Sequence, residues 1–164
     1  MEDGLPRFPI EKYQISDVLG QGAYGIVNLY VLRSPKPKLP NEVAVKWIGN
    51  KYESTYNREN ENIKIAMNHP NIVKCYGFCE LNRPGLGQGL VMEVFDCDLM
   101  QYMKIPLTLQ ETRVILSQIA SALQHLRRQN LVHRDVKPEN ILVRVTEDRG
   151  IEVSAELLIS ETAP

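Results

Sequence analysis

The sequence is poor in several features that mark well-known protein classes. Its three cysteines, Cys75, Cys79 and Cys97, are an odd number without a zinc-type C-x-x-C pair, which argues against a disulfide scaffold or a zinc module. No apolar run approaches the roughly 20 residues that a membrane helix requires. Nineteen basic and twenty acidic residues leave a net charge of −1, so no global field attracts nucleic acid or an acidic membrane. We therefore expect neither a nucleic-acid nor a membrane partner.

The start of the chain also lacks the marks of a targeting segment. Residues 1–6 contain neither a basic stretch nor an apolar run of signal-peptide type. The cysteines are expected to be reduced and to act as small buried hydrophobic residues. Together these features predict a cytoplasmic chain, with a nuclear location also open.

The hydrophobic pattern predicts an α+β fold. The 164 residues, 43% of them hydrophobic and 24% charged, are typical of one globular domain. Strands are predicted in the first half at Tyr13–Leu19, Ile26–Leu32, Glu42–Ile48, Ile72–Phe78 and Leu90–Phe95. A helix is predicted over 108–129, because Thr108 and Glu111 have capping-box spacing and apolar residues recur behind them at helical intervals. The helical signal of residues 51–67 is weak.

A glycine-rich segment follows the first predicted strand. Gly20-Gln21-Gly22-Ala23-Tyr24-Gly25 fits G-x-G-x-x-G, whose glycines allow the backbone to approach phosphate oxygens closely. Taken alone, the pattern describes a turn without a ligand equally well. A dinucleotide-binding loop opens a helix, whereas this one leads into a β-branched run, which disfavours an oxidoreductase. We predict a hairpin that acts as a flap over phosphates.

Lys46 lies among apolar residues of a predicted strand. Strand alternation places it on the same face as Ala44, so an ammonium group lies beside a small residue that leaves room for a flat ring. An ordinary surface lysine with a packed aliphatic stem is the other interpretation.

The stretch 131–143 concentrates charged and amide side chains between a helix end and a short apolar strand. Aliphatic residues on both sides favour a loop fixed to a core over a solvated charge run. Asp135 is suited to accept or orient a hydroxyl proton, and Lys137 to neutralise a phosphoryl group. Asn140 is suited to offer an oxygen ligand to Mg²⁺. His133 and Arg134 are expected to hold the loop.

In this order the motifs resemble those of the eukaryotic protein kinase family, serine/threonine type. The matching segments are Gly20-x-Gly22-x-x-Gly25-x-Val27, Val43-Ala44-Val45-Lys46, His69-Pro70-Asn71-Ile72-Val73 and His133-Arg134-Asp135-x-Lys137-Pro138-Glu139-Asn140. The resemblance implies a bilobal fold whose N-lobe has five antiparallel strands and one helix, followed by the first part of a helical C-lobe. It implies an N-terminal extension at 1–12, a kinase domain at 13–153 (N-lobe 13–95, partial C-lobe 96–153) and a divergent tail at 154–164.

The resemblance also implies roles for individual residues, with ATP and Mg²⁺ as cofactors and a protein as substrate. Lys46 would pair with the α- and β-phosphates, Asp135 would be the catalytic base, and Asn140 would hold one Mg²⁺. Lys137, two residues after Asp135, is the serine/threonine-kinase pattern. The implied ATP-binding residues are Leu19, Gly20, Gln21, Gly22, Ala23, Tyr24, Gly25, Val27, Ala44, Lys46, Met92, Glu93, Phe95 and Leu142. Among them Leu19, Val27, Ala44 and Leu142 would sandwich adenine, Met92 would be the gatekeeper, and Glu93 and Phe95 would offer hinge backbone groups.

The glutamate that pairs with the lysine departs from the family pattern. Counting back from His69, its usual position falls on Asn60, which is flanked by Glu59 and Glu61. A one-residue change in the length of the loop would bring either Glu59 or Glu61 to the position of the lysine-pairing glutamate. Glu61 is preferred because Ile65 then lies one helical turn further on.

A second departure concerns the metal. The sequence contains no Asp-Phe-Gly, and Asp148-Arg149-Gly150 follows Asn140 too closely for two strands and a turn to fit between the metal ligands. The second Mg²⁺ ligand is therefore expected to be absent, and the chain to be a truncated kinase form with weak or no activity. A non-catalytic kinase-like interaction or regulatory module is the alternative, and a chaperone or a full-length kinase is an expected partner.

Overall fold

The computed structural model describes residues 5–22, 25–47, 62–80, 87–146, 150–155 and 160–161. Its contacts divide the chain into two compact units. The first contains Met1–Glu61 and Lys74–Val94, and the second contains Asn62–Val73 and Phe95–Pro164. The helices within the described ranges are all too short or too polar to cross a membrane.

The first unit is built on a five-stranded antiparallel sheet, which confirms the predicted N-lobe sheet. Its strands are β1 (Tyr13–Gly22), β2 (Gly25–Leu32), β3 (Glu42–Trp47), β4 (Cys75–Glu80) and β5 (Gln88–Met92). They lie in the order β1-β2-β3-β5-β4. β1 runs three residues beyond its predicted end, because Gly20, Gln21 and Gly22 continue to pair with β2.

One face of this sheet carries the core of the unit. Val43, Val45 and Trp47 alternate along β3 and are buried together with aromatic residues from β1 and β2. The Trp47 ring lies edge-on to Tyr30, with 6.4 Å between the ring centroids. Cys79 is buried in the same cluster, and burial raises the pKa of its thiol to about 12. The expected burial of Cys75 and Cys79 is confirmed, whereas Cys97 is only half-buried.

Residues that precede the predicted kinase domain belong to this sheet. Arg7 forms a parallel bridge with Phe78 of β4. The Phe78 N–H donates to the Pro6 carbonyl at 3.0 Å, and the Phe8 N–H donates back to the Phe78 carbonyl. The buried Phe8 ring contacts Tyr13, with 5.3 Å between centroids. The segment 5–8 therefore covers the edge of β4.

The second unit combines a helix with short strands. Residues 62–66 are helical (α1). They are followed by β6 (Cys97–Asp98), α2 (Leu99–Tyr102), α3 (Leu109–Arg128), β7 (Leu131–Val132), β8 (Ile141–Val145), β9 (Ile151–Ala155) and β10 (Ser160–Glu161). The strands form a β6-β8-β9 sheet and a β10-β7 pair. The core packs α3 against β8 and β9 through Ile115, Ile141, Val143 and Val153.

The ends of α3 follow the sequence signals. The Glu111 N–H donates to the Thr108 hydroxyl at 3.1 Å, and the Thr108 N–H donates to the Glu111 carboxylate at 2.7 Å, which confirms the capping box. The Thr108 hydroxyl also donates to the Glu111 carboxylate at 2.7 Å, and this bond, followed by that from the Thr108 N–H, lowers the pKa of the Glu111 carboxyl. After the helix, Asn130 takes the left-handed conformation (φ 58°), which suits asparagine.

Two predicted strands are displaced. The strand predicted at Ile72–Phe78 begins only at Cys75, because the preceding residues bond to β9 instead: the Val73 N–H donates to Ala155 and the Ala155 N–H donates to Asn71. The strand predicted at Leu90–Phe95 lies at Gln88–Met92. β9 also continues to Ala155, into the sequence predicted to be a divergent tail, and residues 160–161 of that tail pair with β7.

His69 ties the segment before β4 to α3. Its Nδ1 accepts the Asn71 N–H at 3.1 Å, so the proton of the neutral ring sits on Nε2, which lies 3.1 Å from the Ser121 hydroxyl. The ring stacks on His125 with 4.9 Å between centroids. Burial and then the neighbouring His125 lower the pKa of His69.

This arrangement predicts that the free energy of unfolding falls in mild acid. Because the folded pKa of His69 lies below its unfolded value of about 6.5, the unfolded state takes up the proton first. The contribution of His69 to the free energy of unfolding should be constant above about pH 7.5. It should decline as the pH falls through about 6.5. Urea midpoints measured from about pH 7.5 to 5.5 test this. His69→Gln should flatten the dependence; an equally steep decline in that variant would show that another group is responsible.

Candidate active site

The glycine segment forms the predicted hairpin. β1 and β2 pair through Gly20 with Val27 and through Gly22 with Gly25. Gly25 has φ +134°, and a Cβ there would collide with the Trp47 carbonyl, so the position requires glycine. Gln21 pairs with Ile26, while Ala23 and Tyr24 lie outside the described residues.

Four predicted ATP-binding residues share one face of the sheet. Lys46 pairs with Val27 of β2, and Ala44 pairs with Met92 of β5. Cross-strand partners point to the same side, and residues two apart on a strand do as well. Val43, Val45 and Trp47 occupy the opposite, core-facing side. Val27, Ala44, Lys46 and Met92 therefore form an apolar face that carries one ammonium group, beside the glycine hairpin.

Two further predicted ATP-binding residues of the first unit are Leu19, in β1, and Glu93, directly after β5. Leu19 of β1 is 47% exposed. Glu93 follows β5 directly, and its N–H donates to the Lys74 carbonyl at 3.0 Å while its carboxylate accepts the Lys74 N–H at 2.8 Å. Glu59 and Glu61, the two candidates for the lysine-pairing glutamate, lie outside the described residues.

The second unit holds the predicted catalytic loop between β7 and β8. The Lys137 ammonium lies 2.9 Å from the Asp135 carboxylate. The Asn140 side-chain amide donates to the same carboxylate at 2.9 Å and to the Asp135 carbonyl at 2.8 Å. The structure therefore brings Asp135, Lys137 and Asn140 into one hydrogen-bonded group.

The backbone of this loop is tightly turned. Arg134 adopts the left-handed conformation (φ 59°), and the Asp135 N–H donates to the His133 carbonyl at 2.8 Å. His133 is buried, and Leu131 and Ile141 on the flanking strands are buried as well. This anchoring agrees with the expected fixed loop, while the holding role expected of His133 stays a prediction.

Hydrogen bonding keeps Asp135 ionised. The bond from Lys137, followed by that from Asn140, lowers the pKa of the Asp135 carboxyl. An ionised carboxylate at this position can accept a hydrogen bond from a hydroxyl and orient it. Both Asn140 bonds use its amide nitrogen, which leaves the amide oxygen as the atom suited to ligate a hard cation.

The described ranges contain no cluster of three or more His, Cys, Asp or Glu side chains able to hold a metal by themselves. Asp148 lies outside the described residues. The expected absence of a second Mg²⁺ ligand therefore stays a prediction.

Phe95 and Leu142, two further predicted ATP-binding residues, both belong to the second unit. Leu142 of β8 pairs with Asp98, and Phe95 directly precedes the segment that pairs with β8. The Phe95 ring carries the guanidinium of Arg144, with 4.2 Å between the Arg144 Cζ and the ring centroid. Sequence reasoning missed Arg144, although strand alternation from Leu142 would have placed it on the same face.

Comparison with known proteins agrees with this arrangement. A model of the protein kinase domain matches residues 13–154. The chain belongs to the protein kinase family. The predicted family and fold class are confirmed.

This protein kinase domain is similar to kinases from several organisms. The chain is 32% identical over 133 residues to the mitogen-activated protein kinase kinase kinase mom-4 of Caenorhabditis elegans, covering 78% of this chain and 24% of that protein. It is 32% identical over 146 residues to the DNA damage response protein kinase DUN1 of Saccharomyces cerevisiae (83% and 28%). It is 35% identical over 144 residues to the sporulation protein kinase mde3 of Schizosaccharomyces pombe (82% and 25%). The chain spans about a quarter of the length of these relatives.

Proposed function

We propose that this protein kinase domain binds ATP and is of the serine/threonine type, directed at protein hydroxyls, with weak or no transfer activity in the 164-residue form. The observation that carries the proposal is the sheet face formed by Val27, Ala44, Lys46 and Met92 beside the glycine hairpin. Its chemistry matches a nucleotide, because a flat base needs apolar surface and a phosphate needs a cation and backbone N–H groups.

Different residues of this face would contact the base and the phosphates of the nucleotide. Ala44 is small and buried, and with Val27 and Met92 it offers an apolar surface to the adenine ring. Lys46 lies on the same strand face about 7 Å from Ala44, which suits contact with phosphates attached to a base on that surface. Gly20, Gly22 and Gly25 permit close approach of the hairpin backbone to those phosphates.

The loop of the second unit carries side chains suited to phosphoryl transfer. Asp135 would accept the hydrogen bond of the substrate hydroxyl and orient it, and Lys137, 2.9 Å away, would neutralise charge on the transferring phosphoryl group. The amide oxygen of Asn140 would ligate Mg²⁺. When bound, Mg²⁺ neutralises charge on the ATP phosphates.

Two features support the serine/threonine type. Lys137 occupies the position, two residues after Asp135, at which the family's serine/threonine members carry lysine. Matched relatives include the serine/threonine-protein kinase PrkC of Bacillus subtilis, at 33% identity over 141 residues. We therefore propose protein serine or threonine hydroxyls as the substrate class.

Labelling with an acyl-phosphate analogue of ATP tests the nucleotide site. We expect Lys46 to be acylated and Mg·ATP to protect it, because the ammonium group would lie against the phosphates. Lys46→Met should remove the protected site and weaken ATP binding by about tenfold to a hundredfold, as expected for loss of one charge-assisted hydrogen bond. Peptide mapping by mass spectrometry reads the labelling, and calorimetry reads the affinity.

The exposed Lys104 is the internal control, since its acylation should be unaffected by ATP. Protection of Lys46 that does not need Mg²⁺, or no protection at all, would contradict ATP binding as the family performs it. That result would favour a non-catalytic interaction module.

A further inference from the structure

The connection between β2 and β3 is anchored at its base and exposed beyond it. The Leu32 N–H donates to the Asn41 carbonyl at 2.8 Å, which closes the connection where the two strands end. The Tyr13 hydroxyl donates to the Pro40 carbonyl, also at 2.8 Å. Residues 33–38, by contrast, are all exposed. The anchored base of the connection therefore presents residues 33–38 to solvent.

Ser34 lies in this exposed stretch and is the only serine or threonine of the 164 residues that proline follows. Among the serines that the structure describes, Ser34 alone lies outside helices and strands. Ser117 and Ser121 are exposed but belong to α3, and Ser154 is buried in β9. An enzyme that modifies a side chain needs access to the backbone around it, which a hydrogen-bonded element denies unless it opens. Ser34 is therefore the accessible serine of the described ranges.

The residues after Ser34 determine which kind of enzyme could take it. Pro35 disfavours helical backbone at Ser34 and keeps it extended. Pro35 also has no N–H, so an enzyme that accepts Ser34 has to receive the proline ring in an apolar pocket instead of bonding to an amide. Beyond it the Leu39 N–H donates to the Lys36 carbonyl at 3.3 Å, and Lys38 is left-handed (φ 73°), so the chain turns back toward β3. This pattern suits a proline-directed kinase, which requires proline directly after the acceptor residue.

The surroundings of Ser34 are cationic. Three exposed side chains within four residues of it carry a positive charge and are called the loop cations here: Arg33, Lys36 and Lys38. Residues 18–41 contain no Asp or Glu. A phosphoserine carries about −1.5 to −2 charges at pH 7 and three acceptor oxygens. A phosphate on Ser34 would therefore have cations beside it along the chain and no competing carboxylate among residues 18–41.

From these observations we propose that Ser34 is a phosphorylation site for a separate, proline-directed serine/threonine kinase, and that the loop cations hold the phosphate. The Ser34 hydroxyl oxygen forms a bond to the γ-phosphorus of ATP, and the bond from that phosphorus to the bridging oxygen of ADP breaks. ADP leaves with the electron pair of the broken bond, and the hydroxyl proton passes to a base of the modifying kinase. This inference does not depend on the proposed function of the chain.

Incubation of the folded full chain with a purified proline-directed kinase and Mg·ATP tests the modification. We expect phosphate on Ser34, located by peptide mapping, and no phosphate in Ser34→Ala. Pro35→Ala should lower kcat/KM for the chain by at least about tenfold, as expected when an apolar pocket loses the group that fills it. Ser117→Ala is the matched control and should be modified like wild type. A reaction without the added kinase accounts for any self-modification.

A synthetic peptide of residues 30–42 separates the effect of the sequence from that of the fold. Because Ser34 is exposed, the folded chain should be modified at a rate within about tenfold of the peptide, with no need for local opening. A folded chain that is slower than this would show that the fold hides Ser34, and the proposal would be wrong. Absence of phosphate from Ser34 in both, or equal modification of Pro35→Ala, would overturn it as well.

Phosphorus NMR of the phosphorylated chain tests whether the loop cations hold the phosphate. Nearby positive charge favours the dianion, so the second pKa of the phosphate should lie below its usual value of about 6 at low salt. Lys36→Met combined with Lys38→Met should raise this pKa again, whereas Lys104→Met, at an exposed lysine of the second unit, should leave it unchanged. A pKa that the double variant does not alter would show that these lysines do not hold the phosphate.

Discussion

The 164-residue chain should transfer phosphate from ATP to a serine- or threonine-containing peptide at least about a thousandfold more slowly than a kinase domain that carries Asp-Phe-Gly. That tripeptide does not occur in the 164 residues, so we predict that this chain does not supply the carboxylate that the tripeptide contributes to the metal. A unit-charge pair at 4 Å and an effective dielectric constant of about 20 is worth roughly 4 kcal/mol. Since about 1.4 kcal/mol corresponds to a factor of ten, its loss costs about three orders of magnitude. Radiometric transfer assays of both proteins, run in parallel at saturating Mg·ATP, measure the difference.

Asp135→Asn serves as the control for this result. If the wild-type chain is as slow as expected, the variant should be indistinguishable from it, while both should still protect Lys46 from acylation in the presence of Mg·ATP. Transfer at ordinary kinase rates that is abolished in Asp135→Asn would show the prediction to be wrong. It would mean that another carboxylate of the chain ligates the metal.

Local patterns in the sequence were sufficient for several elements. Alternation around Lys46 correctly placed Ala44 on its face, because strand geometry forces successive side chains to opposite sides. Thr108 and Glu111 correctly located the start of α3, because the capping box is closed within four residues. The loop of Asp135, Lys137 and Asn140 was recognised for the same reason, since all its members lie within six residues of one another.

Long-range contacts explain what the sequence could not reveal. The strand before Cys75 was misplaced because Asn71 and Val73 bond to Ala155, more than eighty residues away. The stacking of Arg144 on Phe95 likewise joins β8 to the segment between β5 and β6, which no local pattern connects. Such pairings depend on the register of the assembled sheet, which periodicity alone does not fix.

The N-terminal segment is the third such case, and it carries the largest expected effect on stability. Gly77 of β4 has φ +148°, a conformation that L-residues with a side chain rarely adopt. A Cβ there would collide with the carbonyl oxygen of Pro6, whose position is fixed by the bond from Phe78. Gly77→Ala should therefore lower the free energy of unfolding by about 3 kcal/mol, since backbone strain adds to the loss of the edge pairing. For a chain of this length the melting temperature should fall by roughly 6–12 °C.

Gly20→Ala is the matched control in the same sheet. A Cβ at Gly20 would meet nothing within 4 Å, so this variant should stay within about 0.5 kcal/mol of wild type. Equal stability of the two alanine variants would show that Pro6 does not lie against β4.

A double-mutant cycle of Gly77→Ala with Phe8→Ala tests whether the stability is lost through release of residues 5–8 or through strain within β4. Phe8 is 5% exposed and packs against Tyr13, so Phe8→Ala in the wild-type background should cost about 3 kcal/mol. If Gly77→Ala expels residues 5–8 from the sheet edge, Phe8 is already exposed and Phe8→Ala should cost little more in that background. Additive losses would instead mean that the segment stays docked and that the strain is confined to β4.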